Sequence, residues 1–150
     1  MHQVFVSIGS NINPKENIKI AMGFLDKLFD CIYSKLYETN AEGFEGNNFI
    51  NCVAGFKTNL LATELRKHLK QIELKMGRTQ GQKGMSNRVI DLDIILYGDH
   101  IFEEDDFDIP SKDIEDYLFV LEPLAEIAGE LRHPVSKIPF SELLKQLKAD

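Results

Sequence analysis

Two aspartates separated by one residue, Asp91 and Asp93, stand inside the otherwise apolar segment 88–97. This composition predicts a buried strand, and alternation along a strand places both carboxylates on one face, with their Cα atoms about 6.6 Å apart. Two like charges held this close repel each other unless a cation lies between them. Carboxylates are hard oxygen ligands that suit Mg²⁺, which usually also binds substrate phosphates. The pair therefore indicates metal-assisted phosphoryl transfer. The alternative is a strand whose acidic residues only solubilise one exposed face.

The polar segment 78–88, just before this strand, contains two glycines and three cations. It has no apolar periodicity and predicts a mobile loop. A loop that ends at two carboxylates can close as a lid and bring its cations onto phosphate oxygens. The helical segment before it ends at Gly77, so Arg78 would enter the loop directly. The alternatives are an ordinary exposed connection for the loop, and a surface ion pair for the nearby Glu73.

The composition predicts one globular domain that spans residues 1–150, since 150 residues with 43% hydrophobic side chains fit a single core. A net charge of −7 argues against a surface built to bind nucleic acid or anionic membranes. The first apolar stretch is too short for a signal peptide or a membrane span, so we expect a cytoplasmic protein. We also expect a monomer. Cys31 and Cys52 are expected to be buried reduced thiols. The sequence contains no phosphate-binding motif of the P-loop type.

The hydrophobic periodicity predicts strands and helices in the order βαββαβ. The strands are expected at residues 3–8, 31–38, 49–56 and 88–97, and the helices at about 14–29 and 61–76. Asn13, Pro14 and Glu16 predict an N-cap, a first-turn proline and a capping-box partner for the first helix. The order is that of an α+β, ferredoxin-like core with helices packed on an antiparallel sheet, and residues 136–150 predict a C-terminal extension with a short helix. An RNA-recognition module has the same order, but it would need stacking aromatics and a basic surface.

Two phenylalanines and an amide could form a second site. Phe49 and Asn51 follow a segment rich in Gly, Asn and Glu, and Phe119 lies in the apolar run 117–121. Two rings and an amide can clamp a flat heterocycle that forms hydrogen bonds at its edge. Taken singly, each phenylalanine is more often part of a core.

Several segments together resemble the 6-hydroxymethyl-7,8-dihydropterin pyrophosphokinase family of folate biosynthesis. In chain order they are Ile8-Gly9-Ser10-Asn11, Phe49-Ile50-Asn51, Ile72-Glu73-Leu74 with Gly77-Arg78, Arg88 with Asp91-Leu92-Asp93-Ile94, Phe119-Val120-Leu121 with Pro123-Leu124-Ala125-Glu126-Ile127-Ala128, and His133-Pro134-Val135. The resemblance covers nearly the whole chain. It implies transfer of a pyrophosphoryl group from ATP to the hydroxymethyl group of a reduced pterin, with release of AMP.

The resemblance also implies a role for individual residues on the phosphate side. Asp91 and Asp93 would hold two Mg²⁺ ions that bridge the ATP phosphates, and Asp93 would in addition orient or deprotonate the attacking hydroxyl. Arg78 and Arg88 would neutralise charge on the transferred group as the lid closes. The side chains that we expect to bind the nucleotide are Glu73, Lys83 and Lys112.

On the pterin side, the resemblance implies that Phe49 and Phe119 sandwich the ring and that Asn51 bonds to its edge. Thr39 and the backbone at residues 40–43, including Gly43, would complete this pocket. Catalysis would then depend on positioning and electrostatics, without a covalent enzyme intermediate.

The chain departs from the family pattern where the family carries cations and other nucleotide contacts. Gln80 and Met85, in the loop, stand where the family has an arginine and a tryptophan. Asp106, Ser111 and Tyr117 stand where the family has an arginine, a histidine and an arginine. One lost charge-assisted contact costs about 1.5–3 kcal/mol, which Lys112 could offset in part. Two interpretations follow: a divergent pyrophosphokinase, or a paralogue that binds a pterin-like heterocycle without efficient use of ATP.

Overall fold

The computed structural model describes residues 1–39, 48–77, 89–104 and 107–149. The elements are β1 (His2–Ser10), α1 (Pro14–Leu28), β2 (Ile32–Tyr33), β3 (Tyr37–Thr39), β4 (Phe49–Thr58), α2 (Ala62–Lys75), β5 (Asp91–Tyr97), β6 (Phe102–Glu104), β7 (Phe107–Ile109), α3 (Asp113–Asp116), α4 (Leu118–Ala128) and α5 (Phe140–Ala149).

The main sheet is antiparallel and has the strand order β2-β4-β1-β5, with β3 also paired to β4. Strands β6 and β7 form a separate two-stranded sheet. The predicted α+β fold with helices on an antiparallel sheet is confirmed. In this order β1 and β4 are central, and β5 is an edge strand that carries both aspartates.

Both faces of the sheet are covered, because alternate residues of the central strands enter two different cores. The first core joins one face to α1 and α2 and includes Val4, Val6, Ile8, Ile18, Leu25, Leu65, Leu69 and Ile72. The second joins the other face to α3, α4 and α5 and includes Phe5, Val53, Ile95, Ile114, Leu121, Leu124, Phe140 and Leu143. The predicted C-terminal helix therefore packs on this domain and buries the second face of the sheet.

The strand predicted at residues 31–38 is interrupted, and Ser34 explains why. Its backbone N–H donates to the carbonyl of Val53 at 2.9 Å, but its own hydroxyl oxygen accepts the N–H of Val53 at 2.9 Å. A side-chain oxygen thus takes the place of a backbone carbonyl in the ladder. The chain leaves the sheet after Ser34 and rejoins it at β3.

The first helix begins as predicted with Pro14 in its first turn, but the predicted capping box is wrong. Asn13 has φ 40° and ψ 56°, a left-handed conformation that Asn tolerates, and its side chain makes no cap hydrogen bond. The Asn17 side chain instead donates to the carbonyl of Ile12. Both cysteines are free, as predicted, and Cys52 is buried; the predicted burial of Cys31 is wrong, because it is only half-buried. None of the helices in the described ranges is long and apolar enough to cross a membrane.

Candidate functional site

One row of residues crosses four strands at the end of the sheet. Asp91 on β5 lies opposite Gly9 on β1, Gly9 lies opposite Asn51 on β4, and Asn51 lies opposite Tyr37 on β3. In the next row on the same face, Asp93 lies opposite Ser7 and Ser7 opposite Val53, a residue of the second core. The row therefore lies on the face that α4 covers.

Asp91 and Asp93 share this face, as the alternation predicts. Leu92 and Ile94, the residues that alternate with them, are buried in the first core on the opposite face. Asp93 is exposed, whereas Asp91 is half-buried. A bulge next to Ile95 then shifts the register of β5 against β1. Beyond the bulge, β5 contributes buried side chains to both cores.

The surroundings of Asp93 are acidic. Burial raises the pKa of Asp113, and the nearby carboxylates of Asp93 and Asp116 raise it further. Among the described residues, no cluster of three or more His, Cys, Asp or Glu side chains forms a metal-binding group. A cation here would take two carboxylates from the protein and its remaining ligands from a substrate or water, which is how Mg²⁺ commonly binds.

Glu73 ties helix α2 to the strand that carries the two aspartates. Its side chain is only 2% exposed, and its Oε2 accepts the backbone N–H of Leu92 at 2.7 Å. Its Oε1 lies 3.5 Å from Nζ of Lys70. The ordinary surface ion pair considered from the sequence is therefore wrong, because Glu73 is buried and binds the edge strand between Asp91 and Asp93. A role in nucleotide binding stays a prediction.

A pocket of about 360 Å³ lies at the outer edge of β5, between α2 and the segment from β7 to α3. Its lining residues are Arg66, Leu69, Lys70, Leu92, Asp93, Ile94, Phe107, Asp108, Ser111, Lys112 and Asp113. Lys112, which was predicted to bind a nucleotide, is among them, and its Nζ lies 3.9 Å from Oδ2 of Asp108. Asp93 belongs both to this lining and to the aspartate pair, so the pocket opens beside the predicted metal site.

Two further cations of this pocket come from α2, and sequence reasoning missed them. Arg66 and Lys70 are four residues apart, so they lie on the same side of the helix. The guanidinium carbon of Arg66 lies 4.7 Å from the centre of the Phe107 ring, within the range of a cation–π contact. Their spacing was visible in the sequence, but nothing in it indicated that β7 would pack opposite them.

The residues predicted to clamp a heterocycle lie around Asn51. Thr39 on β3 is paired with Phe49 on β4, two residues from Asn51. Phe119 lies in the first turn of α4, is 37% exposed, and stacks on Tyr117 with ring centres 4.9 Å apart. Because α4 packs on β4 and β3, these residues approach one end of the same sheet face. A ring sandwiched between Phe49 and Phe119 stays a prediction.

Gly9 leaves room for the Asn51 side chain. A Cβ atom added at residue 9 would lie 2.7 Å from Oδ1 of Asn51, closer than real Cβ contacts allow. The amide thus lies across β1, directly between Asp91 and Tyr37 in the row. The absence of a side chain at residue 9 is what permits this position.

Several predicted site residues lie outside the described residues: Gly43, Arg78, Lys83 and Arg88, together with the departing positions Gln80, Met85 and Asp106. The predicted end of the preceding helix is confirmed. Helix α2 ends at Lys75, and Gly77 follows with φ +98°, a conformation that favours glycine.

Comparison with known proteins gives consistent matches. The sequence model of the family described as "7,8-dihydro-6-hydroxymethylpterin-pyrophosphokinase (HPPK)" matches residues 5–129. The chain is 33% identical to the 2-amino-4-hydroxy-6-hydroxymethyldihydropteridine pyrophosphokinase of Aquifex aeolicus, over 95% of this chain and 90% of that protein. It is 33% identical to the protein of the same name from Haemophilus influenzae, over 97% of this chain and 93% of that protein.

Among solved structures, the chain resembles wild-type HPPK-DHPS of Plasmodium falciparum, crystallised with SDX-DHP, with a TM-score of 0.75 and 15% sequence identity. The match covers 97% of this chain but only 43% of that longer chain. At this identity the likeness concerns the fold.

Proposed function

Because the chain belongs to the 7,8-dihydro-6-hydroxymethylpterin-pyrophosphokinase family, we propose that it transfers a pyrophosphoryl group from ATP to the hydroxymethyl group of 6-hydroxymethyl-7,8-dihydropterin, with release of AMP. The observation that carries the proposal is the position of Asp93, which lies both in the lining of the β5-edge pocket and on the sheet face that presents Asn51. A phosphate donor in the pocket and a heterocycle beside Asn51 would meet at this carboxylate.

Asp91 and Asp93 would hold the two Mg²⁺ ions. The donor set fits, because two oxygen ligands share one face of β5. The surroundings are acidic, since burial and the nearby Asp93 raise the pKa of Asp113. When bound, Mg²⁺ would offset the negative charge of the triphosphate and orient its oxygens. Glu73 would keep the two ligands in register by its bond to the Leu92 N–H.

The pocket at the β5 edge would take the nucleotide. Ser111 and Tyr117 occupy positions where the resemblance leads us to expect a histidine and an arginine. Arg66 and Lys70 line the opposite wall of this pocket from α2, and Lys112 lines it from the α3 side. Lys70 and Lys112 now face the carboxylates of Glu73 and Asp108, and a bound triphosphate would offer them oxygens of higher charge. This arrangement supports the divergent pyrophosphokinase over a paralogue that does not use ATP.

The reduced pterin would lie beside Asn51, with its ring between Phe49 and Phe119. Thr39 and Gly43 would complete that pocket, and Arg78, Lys83 and Arg88 would neutralise the phosphates from the loop. The hydroxyl oxygen would attack the β-phosphorus of ATP as the bond from that phosphorus to the α-phosphate oxygen breaks, and AMP would leave with that oxygen. Asp93 would orient the hydroxyl or accept its proton.

We further propose that the protein acts in the cytoplasm as a monomer, with ATP and the pterin as its ligands and no nucleic acid or membrane partner. Its net charge of −7 supports the absence of a nucleic-acid or anionic-membrane partner.

Asparagine substitutions separate binding from chemistry. Asp91→Asn or Asp93→Asn should lower kcat at least about a hundredfold, since a metal ligand acts on the charge of the transition state. The pterin Kd, measured by calorimetry with a non-hydrolysable ATP analogue and Mg²⁺, should change less than about threefold. Asp99→Asn is the matched control, because Asp99 is exposed just beyond the same strand. An unchanged kcat in both variants would contradict the proposed metal site. Pterin binding without any turnover in the wild type would favour the paralogue.

A further inference from the structure

The carboxylate of Glu126 joins helix α4 to the interrupted edge of the sheet. Both of its oxygens accept the backbone N–H of Lys35, at 3.0 and 3.1 Å, and Oε1 also accepts the hydroxyl of Tyr37 at 2.7 Å. Lys35 lies directly after Ser34, where the chain leaves the sheet. Glu126 therefore binds a backbone N–H at the point where the chain leaves the sheet.

This contact adjoins the site where the pterin is proposed to bind. Tyr37, which bonds to Glu126, is paired across the strands with Asn51. Phe119 and Glu126 are seven residues apart on α4, so they lie two turns apart on the same side of the helix, about 10.5 Å along its axis. One end of α4 thus carries a predicted ring contact, while the other is held to the strand beside Asn51.

We propose that Glu126 and Tyr37 are positioning residues for the heterocycle, which set the distance between the Phe119 ring on α4 and the Asn51 amide on the sheet. The inference rests on the proposed function, because it assumes that a flat, hydrogen-bonding heterocycle binds between these two groups. Neither residue needs to touch the heterocycle.

The contact is built to adjust position more than to maintain the fold. Helix α4 also packs through Val120, Leu121 and Leu124, which are buried in the second core and would keep α4 on the sheet without Glu126. Glu126 itself is exposed, so its hydrogen bonds compete with water. Burial and the bond to Glu126 both raise the pKa of Tyr37, so its hydroxyl stays a donor at neutral pH. Losing this contact should loosen α4 without unfolding the protein.

The test compares Tyr37→Phe, Glu126→Ala and the double variant in the full chain. We measure the Kd for 6-hydroxymethyl-7,8-dihydropterin by calorimetry with a non-hydrolysable ATP analogue and Mg²⁺, together with both KM values and kcat. The matched control is Glu122→Ala, because Glu122 lies one turn away on α4 and its carboxylate pairs with Lys148 of α5 at 2.8 Å. It removes a charge from the same helix but keeps the hydrogen bonds of Glu126 to Lys35 and Tyr37.

We expect the pterin Kd to rise about three- to tenfold in each single variant, which is the range for a partly exposed hydrogen bond. The double variant should be no weaker than the poorer single variant, because both changes break one connection. The KM for ATP should stay within about twofold, since β5 and its pocket lie at the opposite edge of the sheet from β3. Glu122→Ala should match the wild type.

Three results would overturn the inference. The first is an unchanged pterin Kd in folded Tyr37→Phe and Glu126→Ala proteins. The second is an equal loss for ATP and pterin, which would indicate general loosening of the structure. The third is a wild type that does not bind the pterin, which would overturn the proposed pterin site as well. A wild type that binds the pterin but does not release AMP would refute only the proposed reaction, and the comparison of Kd values would still decide the inference.

Discussion

Replacement of Gly9 by alanine should weaken pterin binding by about 30-fold while leaving the fold intact. The new Cβ would lie 2.7 Å from Oδ1 of Asn51, whereas ordinary contacts begin at 3.4 Å. The next nearest atoms, Cγ of Asn51 at 3.8 Å and the carbonyl oxygen of Ile50 at 4.0 Å, are already at ordinary distances. Only the end of one side chain therefore has to move, by about 0.7 Å or more.

The magnitude follows from what the Asn51 amide is proposed to do. If it rotates away, the heterocycle loses about two hydrogen bonds, each with a net value of about 1 kcal/mol. Their loss corresponds to a rise of about 30-fold in pterin KM. The stability of the protein should change by less than about 1 kcal/mol, because neither backbone nor core has to shift.

The assay measures KM for the pterin and for ATP, kcat, and the free energy of unfolding in urea. Asn51→Ala gives the full value of the amide, and the double variant Gly9→Ala with Asn51→Ala should equal Asn51→Ala alone, since the clash then has no partner. Gly23→Ala is the matched control, because a Cβ at residue 23 meets no atom within 4 Å. A Gly9→Ala protein with an unchanged pterin KM would refute the reasoning, as would additive losses in the double variant.

Three further predictions concern stability. Gly23 lies in the interior of α1, and Gly23→Ala should raise the free energy of unfolding, measured in urea, by about 0.5–1 kcal/mol. A lower free energy of unfolding would contradict the open space around this position. Burial lowers the pKa of His133 below its ordinary 6.5, although Glu115 partly opposes this. Because the unfolded chain then binds the proton more readily, the stability of the protein should fall as the pH drops below 6.5. His133→Asn keeps an acceptor for the turn but does not titrate, so its urea midpoint should fall less between about pH 7 and pH 5, and equal slopes would exclude His133 as the cause. Glu73→Ala leaves the Leu92 N–H without its acceptor and should cost about 1–3 kcal/mol of stability. It should also raise the Mg²⁺ concentration needed for half-maximal turnover, and Glu73→Gln should recover part of both losses. Identical Mg²⁺ dependence in the wild type and both variants would exclude a link to the metal site.

The order of elements and the shared face of Asp91 and Asp93 could be predicted because they depend on local periodicity. A period of two places alternate residues on opposite faces of a strand whatever the strand packs against. The end of α2 was equally local, since Gly77 takes a positive φ that other residues avoid.

Features that depend on distant contacts could not be predicted in this way. The alternation at residues 31–38 indicated one strand. The strand is divided where the Ser34 side chain replaces a backbone acceptor and where Lys35 bonds to the carboxylate of Glu126, 91 residues further along the chain. In the sequence, Arg66 and Lys70 look like ordinary solvated residues of an amphipathic helix. Their role in a pocket depends on β7 and α3, which lie opposite them in the fold. Asn13 takes the predicted N-cap position, but its backbone is left-handed and its side chain makes no cap hydrogen bond.

The most direct test of the proposed function is the nucleotide product formed by the purified protein from millimolar ATP and Mg²⁺, with and without 6-hydroxymethyl-7,8-dihydropterin. We predict AMP only when the pterin is present, one AMP for each pterin diphosphate, and no ADP. Formation of ADP would mean that a single phosphoryl group is transferred. No AMP at all, from a folded protein that binds the pterin, would contradict the proposed enzyme and leave a pterin-binding paralogue.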